Sequence, residues 1–531
     1  MKMRNVWMFL AVLMGALTWT SCSEEDPAPV VGITAISVTP EGSSVSYNAT
    51  ITGTTAVVEV AGETTDEALA NATVSAVATL GSAVYFNDEP VGAGVTADFT
   101  APVTLVAKGA DGKSVAYTVT VERVFGNVGM TIKSSRFNGF PANVIDYNMT
   151  YFKGKFYAFV TSTTEELQGE GEEAETVKIE HYDLFSSVDG VNWVKVDYNV
   201  STEGVDLPNK VSAEGEVLEE KQEGYVVGGE GACLVVHDGR LFVMGGSRLN
   251  GQDIYGNPAE MVDGWTGPGP SIEAWRSFST ADGVNFECDT VGITVKNNGE
   301  DITADASWFL PAAHVNAVSF NGKIFVQGGL NAGYGMWQMG RRYFTTTNGT
   351  DYEIVTVTGA EEGVTPDVHM RAQNAFFEFQ GKLWCMGGYK NFLSPSQMVN
   401  TIWSSEDGIA WKQEAEFPVD AEGNQVVGLT GIYDMSVVAT DEVVYIFGGA
   451  INTAEGNVVS NKIFKSTDCL TWEEVADVPA AFSARRHTVG VAQGNEAWLF
   501  GGISDVTKDT YGYPLEAPFT PVTDTWVKTL D

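Results

Sequence analysis

Five polar side chains recur at one register of this chain. Counting back fourteen residues from the first glycine of the Gly-Gly pairs at 245, 328, 387, 448 and 501 gives Gly231, His314, Gln373, Asp434 and His487. A degenerate copy without the glycines aligns Asp146 with them. Each residue stands where a polar stretch turns apolar, so the six mark the start of equivalent strands. Imidazoles and carboxylates can exchange protons or pair as ions, and the Gln373 amide can both donate and accept hydrogen bonds. Asn148, Asn316 and Asn374 add further amides nearby. Arg371, Arg485 and Arg486 bring guanidinium groups to the same register in a chain with only 30 basic residues. Such a set suits a sugar, with amides and carboxylates for hydroxyls and Arg for a carboxylate. The expected ligand-binding residues are therefore Asp146, His314, Asn316, Arg371, Gln373, Asp434, Arg486 and His487. The bland alternative is that they satisfy strand ends and hold ordered water.

The elements that must position these residues are legible between Arg371 and Lys412. An apolar strand meets a Gly381-Lys382 turn, and a second strand ends in Gly387-Gly388. A third strand follows at Thr401–Ser404, then an Asp407-Gly408 turn and a fourth strand carrying Trp411. Glycine after Asp or Asn between β-rich runs marks a tight turn, because these residues tolerate positive φ. The fourth strand repeats as SSVDGVNW at 186–193, STADGVNF at 279–286, TTTNGTDY at 345–352, SSEDGIAW at 404–411 and KSTDCLTW at 465–472. Second strands appear six times, beginning with the degenerate Gly154–Val160, so the unit is a propeller blade repeated six times. The sixth copy stops at TDTWVKTLD without a fourth strand. An open edge there would expose unpaired backbone groups, and the expected donor is Asn127–Lys133, just ahead of the first blade.

The Gly-Gly and Asp-Gly-x-x-aromatic repeats resemble kelch-type propellers, the class that includes galactose oxidase and the bacterial N-acetylneuraminate epimerase. The resemblance covers residues 126–531 and implies a six-bladed β-propeller with function at the channel mouth. It also implies a sugar-active alternative, with Asp434, His487 or His314 as acid/base and Arg371 or Arg486 as carboxylate anchor. No G-x-S-x-G, H-E-x-x-H or P-loop occurs, and the five histidines show no local metal-ligand spacing. No metal and no cofactor are expected from the sequence. The recurrent turns resemble the Asp-box of sialidases but are one residue shorter between Asp and Trp, and no arginine triad with a tyrosine nucleophile accompanies them.

The ends of the chain speak to location. Lys2 and Arg4 precede an apolar run from Val6 to Leu17, too short to span a bilayer as a mature helix. Cys22 follows in TWTSC-SEED. This resembles a bacterial lipoprotein signal, and the acidic residues after the cysteine resemble the surface-export signal of Bacteroides-group lipoproteins. The resemblance implies a signal peptide over 1–21, lipidation at Cys22, a tether over 22–30 and outer-membrane anchoring facing the exterior. From 31 to 123, seven or so short strands with turns predict a small β-sandwich, which resembles the immunoglobulin-like spacers of bacterial surface lipoproteins. The fold class is thus all-β: an immunoglobulin-like sandwich, then a six-bladed kelch-like propeller closed by an N-terminal strand.

A net charge of −39 argues against nucleic acid, whose phosphates need Lys and Arg, and keeps the membrane contact to the lipid alone. No C-x-x-C pair occurs, so zinc-ribbon and thioredoxin-like chemistry are not expected. Two long loops, Ser247–Trp275 and Asn331–Arg342, carry Gly beside Trp and Tyr and would make a stacking platform. The acidic stretches Glu165–Glu175 and Glu214–Glu223 read as solvated. Together these features predict a surface lipoprotein that binds a glycan or a surface protein without catalysis. A sialic acid epimerase or mutarotase is the enzymatic alternative, and an assembly subunit the structural one.

Overall fold

The computed structural model describes residues 30–530, apart from residue 93 and the segments 169–174, 202–209, 212–216, 220–227, 247–277, 289–293, 303–313, 330–342, 389–398, 400, 417–431, 454–455 and 505–520. The signal segment, Cys22, both aromatic loops and most of the acidic stretches lie outside the described residues.

Residues 33–125 form strands in two layers around their own core, in which Val38, Val58, Val74, Leu105 and Val119 are fully buried. A hairpin about Asp111-Gly112 pairs Val103–Gly109 with Ser114–Phe125. A single helical turn, Asp66–Ala70, interrupts the strands, capped by the Thr65 side chain.

Six four-stranded units follow, and the sixth is completed as its missing strand requires. Met130–Ser134 pairs antiparallel with Pro521–Thr529, Met130 opposite Lys528 and Ile132 opposite Trp526. The other edge of this closing strand is not exposed: it pairs with Ser114–Phe125, Met130 opposite Phe125. The sandwich and blade six therefore share one continuous sheet. Ion pairs from Lys133 to Glu122 at 2.8 Å, Arg123 to Asp66 at 2.9 Å and Arg136 to Asp98 at 3.1 Å brace the junction.

Blades two, three and four carry a strand beyond the repeat. Asn199–Ser201, Thr294–Asn297 and Thr358–Gly359 come from the segments between blades and lie parallel on the outer strand. They cover edges that would otherwise expose backbone donors and acceptors.

The repeated turn is a hydrogen-bonded cap. Asp189, Asp282, Asp407 and Asp468 each accept two backbone N–H bonds, from the second and third residues on, at 2.7–3.0 Å. Asn348 does the same in blade three with a neutral amide. A Ser or Thr hydroxyl two residues before each bonds the acid or amide from behind. The glycine after the acid is required twice over. Gly408 has φ of +76°, and a Cβ there would meet the Phe325 ring of the preceding blade at 2.3 Å. Gly283 meets Tyr157, and Gly190 meets Trp498, in the same way. In blade five Cys469 takes this place at φ +60° and packs in the cluster that holds Trp384. The aromatic that ends the motif fills the wedge between blades. Trp411 is fully buried among Phe325, Tyr343 and Phe376, and its indole N–H closes the turn on Gly408 O at 3.2 Å. Burying one such ring stabilises by about 1.5–3 kcal/mol.

These caps predict an acid-sensitive fold. Burial raises the Asp407 carboxyl, but the N–H bonds from Ile409 and Ala410 outweigh it and hold it below the usual carboxylate range. Asp282, bonded chiefly by Asn285 N–H, is lowered as well, as are Asp189 and Asp468 against opposing burial. A carboxyl depressed in the folded state stabilises fully above its unfolded value of about 3.9 and loses that contribution as pH falls through the folded value. In urea melts the stability difference between the wild type and Asp407→Asn should be constant from neutral pH to about 5 and shrink below about 4. Asp407→Asn, which copies Asn348, should remove the share of that turn.

Candidate functional site

The six positions at the fourteen-residue register meet. Asp146, Gly231, His314, Gln373, Asp434 and His487 all line one cavity of about 260 Å³ at the mouth of the central channel, one from each blade. The geometry explains why the sequence is polar there. Gly231, His314, Gln373, Asp434 and His487 have φ between +50° and +69°, the left-handed region that glycine, Asp, Asn and His tolerate better than other types. Part of the polar bias is thus a backbone requirement, a cause that the sequence reading, which weighs a binding site against satisfied strand ends and ordered water, does not name. What the backbone does not demand is imidazole in two places, or side chains aimed at a common space.

Backbone and side chains link the ring nearly continuously. His314 N donates to Gly231 O at 2.8 Å, Asp434 N to Gln373 O at 2.8 Å, and His487 N to Asp434 O at 2.9 Å. Gly231 N donates to Asp146 Oδ2 at 2.9 Å. The first glycines of Gly-Gly let these turns seat: a Cβ on Gly328 would lie 2.4 Å from Arg371 O, one on Gly387 2.3 Å from Ile432 O, and one on Gly448 2.3 Å from Arg485 O. Each blade therefore holds the lead-in turn of the next.

His487 is the hub. Its Nδ1 lies 2.9 Å from Asp434 Oδ1 and its Nε2 3.1 Å from Asp146 Oδ1, so both ring nitrogens donate to carboxylates. Arg486 Nη1 holds the other oxygen of Asp434 at 2.7 Å. Burial alone would lower the His487 pKa, but the Asp434 charge and the bonds to both carboxylates push it up to about 10. Burial likewise opposes ionisation of Asp146, yet the imidazoles of His314 and His487 and the Gly231 N–H bring it down to about 2. Asp434 is lowered against burial by His487 and Arg486. His314 is lowered, by burial and by repulsion from His487, against the pull of Asp146. A quarter of the His487 side chain and slightly more of His314 still face the cavity, at 24% and 29% exposure. The two rings stand edge to face with centroids 5.7 Å apart.

The remaining expected residues divide. Asn316 lines the cavity and bridges blades three and four through Gln327 Oε1 and Asn374. Arg486 serves the site through Asp434. Arg371 does not line the cavity. It is fully buried, donating to Asp367 Oδ1 at 3.0 Å, Gly387 O at 3.1 Å and Thr401 O at 2.9 Å, and also to Thr401 Oγ1. Arg485 is its counterpart in blade six, bonded to Asp524 and Gly501 O. Both arginines stand two residues before a ring position and lock its lead-in turn to the end of the second strand. Sequence reasoning missed that Asp146, His314 and His487 offer ligand atoms within 4.8 Å of one another, because their separation along the chain leaves no local spacing to read.

Fold and site together define a class: a six-bladed β-propeller whose lead-in turns enclose one polar cavity. The family comparison agrees on the propeller. A model described as the DUF6242 beta propeller domain matches residues 386–511, a stretch that contains Asp434, Arg486 and His487. Among solved structures, that of YjhT is similar over 74% of this chain and 96% of its own, at 12% identity and a TM-score of 0.40. No curated protein matches the chain.

Arg371→Ala should act on stability. It takes the guanidinium away from the buried Asp367 carboxylate and from the Gly387 and Thr401 carbonyls, a change that costs about 3–5 kcal/mol when a buried ion pair loses one partner. The check is the urea midpoint, which should fall at unchanged slope.

Proposed function

We propose that this protein is a surface lipoprotein whose propeller binds a glycan unit in the channel mouth without catalysing a reaction. The observation that carries the reading is the convergence of all six lead-in turns on one polar cavity in which Gln373 Oε1, a buried acceptor, has no hydrogen-bond partner among the described residues. A buried acceptor left unpaired costs about 1–3 kcal/mol, and a rotation of the Gln373 side chain towards the cavity would let a sugar hydroxyl supply the donor. Phe376, Phe377 and Val437 provide apolar wall beside it, as a sugar ring needs. The cavity lies just under the range of about 300–1,000 Å³ for drug-sized ligands, so it suits one sugar unit better than a chain.

Geometry favours binding over acid/base chemistry. Both nitrogens of His487 are taken by carboxylates, and Asp434 is held by His487 and Arg486, so neither has a position free for a substrate proton. No Lys or Arg is among the described residues lining the cavity, which favours a neutral over an acidic sugar. The sandwich, braced on blade six, would hold the propeller off the membrane.

Thermal shift with neutral monosaccharides at millimolar concentration is the test. A ligand bound only by the folded state stabilises by mass action, about 2.7 kcal/mol at a hundred times Kd. Gln373→Gly, which fits the left-handed backbone as Gly231 does, should abolish the shift while preserving the fold. No shift with any sugar, or a shift unchanged in that variant, removes the reading. For the anchor, Cys22→Ser should move the protein from the membrane to the soluble fraction; an unchanged distribution counts against lipidation.

A further inference from the structure

We propose that Asp146, His314 and His487 together hold a divalent first-row transition-metal ion of the zinc or iron(II) type in the channel mouth. The inference stands apart from the sugar reading, because its readout is the metal itself.

The donor set and its geometry carry it. One carboxylate oxygen and two imidazole nitrogens, from blades one, three and six, lie within 4.8 Å of one another. Asp146 Oδ1 is 3.1 Å from His487 Nε2 and 3.9 Å from His314 Nδ1. Donors bonded tetrahedrally to an ion at about 2.0–2.2 Å stand about 3.3–3.5 Å apart, so the first pair is in place, the second closes by a few tenths of an ångström, and the two imidazole donors, within 4.8 Å of each other, draw together as the rings turn onto the ion. His314 and His487 meet edge to face and turn ring nitrogens towards Asp146 in place of stacking on each other.

The groups behind the donors fit as well. Asp434 Oδ1 holds His487 Nδ1, and Arg486 holds Asp434. A carboxylate on the far nitrogen of a ligating imidazole fixes its orientation and tautomer and raises its basicity. On binding, the ion takes the place of the proton on Nε2. The fourth side of the set faces the cavity, leaving coordination positions for water or an incoming oxygen. Two nitrogens with one oxygen match zinc and iron(II); calcium and magnesium want oxygen ligands.

The test uses the full chain without an affinity tag, stripped with chelator and titrated calorimetrically with zinc chloride and, without oxygen, with iron(II). One ion per chain is expected, and cobalt(II) should give visible ligand-field absorption. His314→Gly, which suits the left-handed backbone, should weaken zinc binding at least about 100-fold and remove the cobalt bands. Asp434→Asn, which touches no ion, should weaken it about 10- to 100-fold. His314→Asn repeats the first comparison should the glycine variant be unstable. Absence of saturable binding by either metal overturns the assignment, as does binding of equal strength in both His314 variants.

Discussion

Everything at the channel mouth depends on closing the ring between blade six and blade one. The closure is made far from the axis, where Met130–Ser134 completes the last blade, but its effect is read at the centre. His487 belongs to blade six and Asp146 to blade one, and their contact crosses the seam. Tyr147, beside Asp146, donates to Phe500 O of blade six at 3.3 Å, and its hydroxyl occupies the space a Cβ on Gly501 would need. With the sixth blade open, the packing of Phe156 and Trp193 on Trp498 and Phe500 would be left to hold these two edges together without the strand pairing behind it. The ion-paired hub is therefore supported by strand pairing that lies outside the turns carrying either member, at Met130–Ser134 and Pro521–Thr529.

The architecture was largely legible because each blade repeats a signal with a physical cause. Glycine after Asp is fixed by positive φ and by the ring of the preceding blade, and the aromatic by the wedge it fills. The truncated last copy, TDTWVKTLD, exposed the need for a donated strand. The parallel fifth strands were not legible, since Asn199–Ser201 and Thr358–Gly359 are short, polar and outside the repeat. Nor was the pairing of the closing strand with the sandwich, because sequence shows that a strand is apolar and not which edges it joins.

The site was legible in position more than in role. The fourteen-residue register places five polar side chains and Gly231 around one cavity because strand length fixes how far the first turn lies from Gly-Gly. Roles need directions that spacing does not contain. Arg371 and Gln373 are two residues apart, yet one is locked in the interior and the other faces the cavity, since the intervening turn passes into left-handed backbone. The ring is also asymmetric: both ring nitrogens of His487 meet carboxylates, while Gln373 Oε1 has no partner among the described residues. That asymmetry is what the proposed ligand reading draws on.

The shared sheet between sandwich and blade six has a consequence for the order of folding. Met130 and Lys528 are partners across almost the whole propeller sequence, and the entropy cost of joining distant segments grows as about (3/2)RT ln n. A five-residue strand on its own would wait for that partner as disordered chain. Here it follows Ser114–Phe125 through a short turn and pairs with it, on a module with its own buried core. Ring closure then becomes the addition of Pro521–Thr529 to an edge that already exists. In this sense the N-terminal module is a template on which the last blade is finished.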